Sequence, residues 1–297
     1  MSAFRCAASS ADREEPLFGT ASAVSRWLLV EQAGPWGPSG FPESRLDAHI
    51  RDSLVAQARA LGARPLLVRR HGSGAEAPTD SRSVFVVDSR PGAERVLHRT
   101  LHGDSALDPI PLDGGWQRVD GPLFLVCTHG RHDTCCAMRG RPVAAALDAL
   151  DPERTWECSH IGGDRFASNT VVLPHGLYYG RLDGETAGRM LAATRAGQVL
   201  PEFLRGRSSI SPAAQAAQHF AQAELGRLGV DDLLPVQEEQ VEPGTWRVVL
   251  RDDVGEAAVT VRRVRDGLAE QLTCHALARS VAPVWDLVAL EVLAPAA

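Results

Sequence analysis

Two cysteine-bearing segments, each continuing an apolar run, constrain this chain more than any other feature. Residues 122–126 (PLFLV) lead straight into Cys127, and residues 155–160 (TWECSH) carry Cys158 and His160. Short runs of branched, aromatic and apolar residues bounded by turn signals read as buried strands. Between them residues 142–150 read as a helix, opening on a proline whose missing N–H is harmless in a first turn. Both cysteine segments are therefore expected at the same end of one sheet, where a rigid scaffold holds function-bearing loops. Four of the six cysteines fall there, interleaved with histidines: Cys127, His129, His132, Cys135, Cys136, Cys158 and His160.

The rest of the chain predicts an α/β fold. Residues 1–25 read as a small, polar, frayed lead-in. Residues 26–32 read as a buried strand broken by Gly34-Pro35-Trp36-Gly37-Pro38, and residues 46–61 as a helix that stops at Gly62. Strands over 65–69 and 83–88 complete a first α/β unit, residues 1–119. Residues 120–207 form a second unit, in which a strand pair (169–174 and 177–182) and a helix (184–196) follow the cysteine segments. The tail, residues 208–297, reads as a helix from Ser211-Pro212 to about Leu228, then a β-meander over 245–251, 257–264 and a strand near Trp285.

Composition removes several function classes. All 31 basic residues are arginine, which excludes a Schiff-base lysine and a P-loop. A net charge of −6 without a basic stripe argues against nucleic acid as a partner. The first residues lack the apolar stretch of a signal peptide, and no run has the length of a membrane span. A cytoplasmic protein with no nucleic-acid or membrane partner is expected. Its reduced cysteines would serve as ligands, reactive thiols or core residues rather than disulfides.

Thiolates joined by imidazole suit zinc or an iron–sulfur cluster. A Cys-x2–4-Cys zinc knuckle is absent, and the wide Cys127-x8-Cys136 loop is better matched to wrapping a cluster with inorganic sulfide. VCTHGRHDTCC, followed by SHIGGDRFASNTVVLPHGLYYGRL and preceded by GTASAVSRWLLVEQAGPWG, resembles the sucrase/ferredoxin-like family over residues 19–181. The resemblance implies a thioredoxin-like ferredoxin domain with a 2Fe–2S cluster. An α/β N-terminal unit would precede that domain and a helix-plus-β-meander module would follow it. No sugar hydrolysis is implied, since nothing here reads as paired carboxylates framing a sugar cleft.

The family pattern is two cysteines and then His-x3-His. Cys127 and Cys136 match the thiolate positions and His160 the first histidine, whereas Asp164 stands where the second histidine would be. Thiolate suits a sulfide-bridged cluster better than carboxylate, and residues two apart on a strand share a face. The expected metal ligands are therefore Cys127, Cys136, Cys158 and His160, with Asp164 the alternative fourth. The implied role is electron transfer or redox chemistry with a redox protein as donor or acceptor, rather than an enzyme with its own substrate. Two alternatives are a thiol oxidoreductase using Cys135, Cys136 or Cys158, and a zinc-stabilised binding module. The first lacks the usual Cys-x-x-Cys at a helix start.

Bland roles are expected elsewhere. Cys135 should diverge from Cys136 as a packing or spare thiol, and Cys6 and Cys274 should be structural. His129 and His132 are expected at the loop surface or hydrogen-bonding around the cluster. His175 reads as a turn residue, and Asp133 with Arg181 as a candidate ion pair.

Overall fold

The computed structural model describes residues 4–72, 80–265 and 267–293. The chain opens with α1 (Cys6–Asp12), β1 (Arg26–Glu31), α2 (Ala48–Ala60), β2 (Arg64–Arg69), β3 (Ser81–Asp88), β4 (Arg95–His102) and β5 (Gln117–Val119). It continues with β6 (Leu123–Cys127), α3 (Thr134–Leu150), β7 (Thr155–Cys158), β8 (Thr170–Leu173), β9 (Leu177–Tyr179), α4 (Gly184–Arg195) and β10 (Leu204–Arg207). These strands join one mixed 10-stranded sheet, in the order β10-β9-β8-β6-β7-β2-β1-β3-β4-β5. Residues 1–119 and 120–207 thus share a single sheet, joined where β2 and β7 pair antiparallel through Val68↔Cys158 and Arg69↔Glu157.

Strands β6 and β7 are parallel, with Cys127 opposite Cys158, and α3 connects them. Parallel neighbours require such a crossover, so both strands end at the same edge of the sheet. On the other side of β6, β8 and then β9 follow antiparallel. Alternation along β6 assigns its two faces. Leu123, Leu125 and Cys127 enter one core with Trp27, Trp156, Cys158 and Tyr178. Phe124 and Val126 instead meet α3 and α4 through Val143, Leu147 and Met190. Each large apolar side chain contributes roughly 1.5–3 kcal/mol on burial, so the near-continuous apolar strands occupy the middle of the sheet.

The tail is α5 (Pro212–Leu225) and a four-stranded meander of β11 (Leu234–Glu242), β12 (Thr245–Asp252), β13 (Gly255–Val264) and β14 (Val284–Leu293). Ser211 caps α5 by accepting the Ala214 N–H, with Pro212 in the first turn. Ala213, Ala214, Ala217 and Ala221 let the helix lie close on Val248, Leu250, Val259 and Val261. Among the described residues no helix is long and apolar enough to cross a membrane.

Three local expectations change. Helix α3 starts at Thr134 rather than Pro142, because Asp133 caps it by accepting the Cys135 N–H at 2.8 Å. Pro142 lies inside the helix, and Cys135 and Cys136 occupy its first turn. The lead-in is not frayed: α1 buries Cys6, Ala7 and Ser10. It is tied down by Arg181, which donates to the Ser10 and Glu15 carbonyls, and by an Arg165–Glu15 ion pair at 2.6 Å. Arg181 is therefore engaged with the N-terminal segment, and the expected pair with Asp133 does not form.

Candidate metal centre

Cys127 ends β6, Cys136 lies on the first turn of α3, and His160 follows β7 by two residues. Their donor atoms all lie within 4.8 Å of one another and could hold a metal ion. Both thiols are buried, while the His160 side chain keeps 24% of its exposure. Helix α3 can bring Cys136 this close because Gly140, one turn further along, faces the Cys127 carbonyl. A Cβ at Gly140 would stand 2.1 Å from that oxygen.

Asp164 completes the convergence. It opens a short 3-10 turn after Gly162-Gly163 and is buried. Gly163 has φ +82°, and a Cβ there would meet the Arg205 guanidinium at 2.4 Å, so only glycine suits the approach. The Cys136 thiol donates to Asp164 Oδ1 at 3.1 Å. His160 Nδ1 lies 3.0 Å from the same oxygen, and His132 Nε2 lies 3.6 Å from Oδ2. His160 Nδ1 is buried yet has no hydrogen bond of adequate alignment. His132, His160 and Asp164 form an overlapping donor group, with the two imidazoles stacked at 3.6 Å between centroids.

The other predicted residues separate by geometry. Cys158 sits beside Cys127 across the ladder and is fully buried in the core. It belongs to none of the donor groups among the described residues. Strand β7 ends at Cys158, so strand alternation stops before it reaches His160. His129 accepts the His160 backbone N–H on Nδ1 at 3.2 Å, which leaves Nε2–H to donate to the Gly37 carbonyl at 2.7 Å. With both nitrogens used, His129 ties the two cysteine segments to the Gly37 turn. His175 lines a different cavity, with Glu94 and Pro174. Cys135 turns away from Cys136, as neighbours about 100° apart on a helix must, and meets Cys6 and Cys274.

The charges are strongly coupled. Cys136 holds the Cys127 thiol well below the ordinary thiol range, against burial and with help from His160. Cys136 itself is pushed up by Cys127 and by burial. Burial opposes the charged forms of His160 and Asp164, but their mutual attraction prevails. His160 is raised to about 9, with Cys127 assisting, and the Asp164 carboxylate falls well below the usual range, with His132 assisting. Sequence reasoning missed Arg205, which sits in the short run Leu204–Arg207 of β10. Its guanidinium is fully buried and donates to the Gly162 carbonyl at 2.9 Å and to Asn169 Oδ1 at 2.8 Å. Burial lowers its pKa to about 10, so it stays charged at neutral pH within the field of Asp164 and Cys127.

His160 and His132 reach an open cleft of about 740 Å³, lined also by Arg64, Arg131, Ser159 and His275. No curated protein and no solved structure matches the chain. A family model described as sucrase/ferredoxin-like matches residues 17–206, well over half of the chain and inclusive of Cys127, Cys136, His160 and Asp164, and the chain belongs to that family.

Proposed function

We propose that the chain is a 2Fe–2S electron-transfer protein, with Cys127, Cys136, His160 and Asp164 as the cluster ligands and the cytoplasm as its compartment. The observation that carries this reading is the convergence of two thiols and an imidazole within 4.8 Å, with a buried His160 nitrogen left without an aligned hydrogen bond. The donor chemistry fits the group, since thiolate and imidazole both ligate 2Fe–2S centres. Such a cluster, when bound, supplies one-electron transfer. Asp164 is preferred to Cys158 as fourth ligand because its carboxylate already touches Cys136 and His160. Gly140 and the Asp133 cap hold Cys136 against Cys127, and His129 holds the His160 backbone.

The strand order β7-β6-β8-β9, with α3 crossing between the parallel pair and α4 after β9, supports a thioredoxin-like core around this site. The cleft at His160 presents Arg64 and Arg131, and among the described residues no acidic side chain lines it. An acidic face on a redox protein would be steered towards it. Anaerobic purification with iron and acid-labile sulfide analysis tests the reading, with about two of each per chain expected. A protein that holds no labile sulfide and no visible chromophore, even after anaerobic reconstitution with iron and sulfide, overturns it.

A second reading rests on the depressed Cys127 thiol, since low-pKa thiols are the reactive ones. Its burial opposes attack on a large disulfide substrate. Rapid alkylation of Cys127 in metal-free protein near neutral pH would favour this thiol oxidoreductase over the electron carrier.

A further inference from the structure

A second set of thiols lies apart from the cluster site and is absent from the function proposed above. Cys6 is the first residue of α1, Cys135 sits in the first turn of α3, and Cys274 lies between β13 and β14. Cys135 Sγ and Cys274 Sγ are 3.4 Å apart, and Cys274 Sγ and Cys6 Sγ are 3.6 Å apart. The Asp133 carboxylate lies 3.7 Å and 3.8 Å from Cys6 Sγ through its two oxygens. All four donor atoms fall within 4.8 Å of one another.

The two S···S separations and the Cys6–Asp133 distance are close to the edges of one tetrahedral coordination sphere. With Zn–S near 2.3 Å and Zn–O near 2.0 Å, the edges of the tetrahedron come to about 3.8 Å for S···S and about 3.5 Å for S···O. A disulfide would need about 2.05 Å between sulfurs, and three thiols cannot all pair. Asp133 is fully buried, and among the described residues no arginine or histidine forms an ion pair with it. Its Oδ1 accepts the Cys135 N–H at 2.8 Å and its Oδ2 the Cys274 N–H at 2.7 Å. Backbone donors thus orient the carboxylate, as outer partners orient metal ligands, while among the described residues no cationic side chain pairs with it, a costly arrangement for a buried carboxylate. Cys6, Cys135 and Asp133 are buried, whereas Cys274 is partly exposed and leaves a path for an ion to enter.

We propose that Cys6, Asp133, Cys135 and Cys274 form a structural zinc site, separate from the site of Cys127, Cys136 and His160. The zinc clasps α1 and the segment carrying Cys274 onto the start of α3. Binding displaces the three thiol protons, so affinity rises with pH. The absence of a Cys-x2–4-Cys knuckle is no obstacle, since the ligands come from remote segments that the fold assembles.

Metal analysis of the full-length protein, purified anaerobically with zinc in the growth medium, tests this. The parent should hold one zinc per chain whatever its iron content. Cys274→Ser should lose that zinc and leave iron and labile sulfide unchanged, while Cys127→Ser should lose iron and keep zinc. Cobalt(II) added to zinc-free parent should develop thiolate-to-cobalt charge transfer and the intense visible bands of a tetrahedral site, and Cys6→Ser should weaken both. A zinc-free parent that binds neither zinc nor cobalt with this signature overturns the proposal. So does a Cys274→Ser variant that retains full zinc, or a Cys135–Cys274 disulfide found by mass spectrometry of the anaerobic protein.

Discussion

Replacing Gly140 with alanine sets helix propensity against packing at the point that positions Cys136. Propensity alone favours the change, because alanine in a helix interior is better than glycine by about 1 kcal/mol. Packing opposes it: the added Cβ would lie 2.1 Å from the Cys127 carbonyl oxygen and 3.1 Å from its carbon. A relaxed contact needs about 3.3 Å or more, so α3 must withdraw from β6 by roughly 1 Å. The obstructing atoms are backbone, and no rotamer change relieves them. Overpacking of this kind costs about 1–3 kcal/mol, and withdrawal also loosens Val143, Ala144 and Leu147 from Phe124 and Val126. With that loosening added, the net expectation is a loss of up to about 2 kcal/mol. Gly188 in α4 supplies the control, since a Cβ there would meet only Leu150 Cδ1 at an ordinary 3.6 Å. Urea midpoints should fall for Gly140→Ala and rise slightly for Gly188→Ala, and only the first should lose iron as Cys136 retreats from Cys127. If both variants gained stability alike and kept the parent's iron content, α3 would not be positioned by this contact.

Three further predictions concern ligands and charges. Asp164→Ala should strip iron or change the electron paramagnetic resonance spectrum after reduction, while Cys158→Ser should resemble the parent; the reverse outcome would return the fourth position to Cys158. His160→Cys should lower the midpoint potential, because thiolate donates more charge than neutral imidazole, and should flatten its pH dependence; an unchanged potential would show that His160 is not a ligand. Asp88 lies at about 2, held down by Arg90 against burial and with help from Arg26. Its contribution is therefore present above its unfolded value of about 3.9 and is lost as pH falls through about 2. Because Arg90 is half exposed, Asp88→Asn should cost only about 1 kcal/mol at neutral pH. In urea melts at decreasing pH, the difference from the parent should shrink below pH 4; a constant difference would contradict the assignment.

The central architecture was legible because its strands are apolar on both faces. Residues 26–32, 65–69, 83–88 and 122–126 correspond to β1, β2, β3 and β6, and the spacing over 46–61 corresponds to α2. Elements at or next to the sheet edges were not legible. Strands β4 and β5 carry the mixed polar sequences Arg95–His102 and Gln117–Val119, and β11 is exposed along most of its length. Sheet position rather than intrinsic pattern decides such segments. The N-terminal helix was missed for a related reason. Its seven residues have little helical drive of their own, and burial of Cys6 and Ala7 together with the Arg181 and Arg165 contacts holds it in place.

At the site, one local misreading accounts for most of what the sequence concealed. Pro142 draws attention as a helix start, yet Asp133 is the residue whose side chain caps a backbone N–H. Once the helix begins at Thr134, Cys135 and Cys136 become successive residues on its first turn and must point in different directions. Cys136 then faces Cys127, with Gly140 one turn on permitting the approach, while Cys135 faces Cys6 and Cys274. The same start places both cysteines in the first turn of a 17-residue helix, from which their side chains leave towards two different donor groups. A vicinal cysteine pair that reads as one ligand and one spare thereby serves two separate donor sets, and the cap residue Asp133 is itself a member of the second.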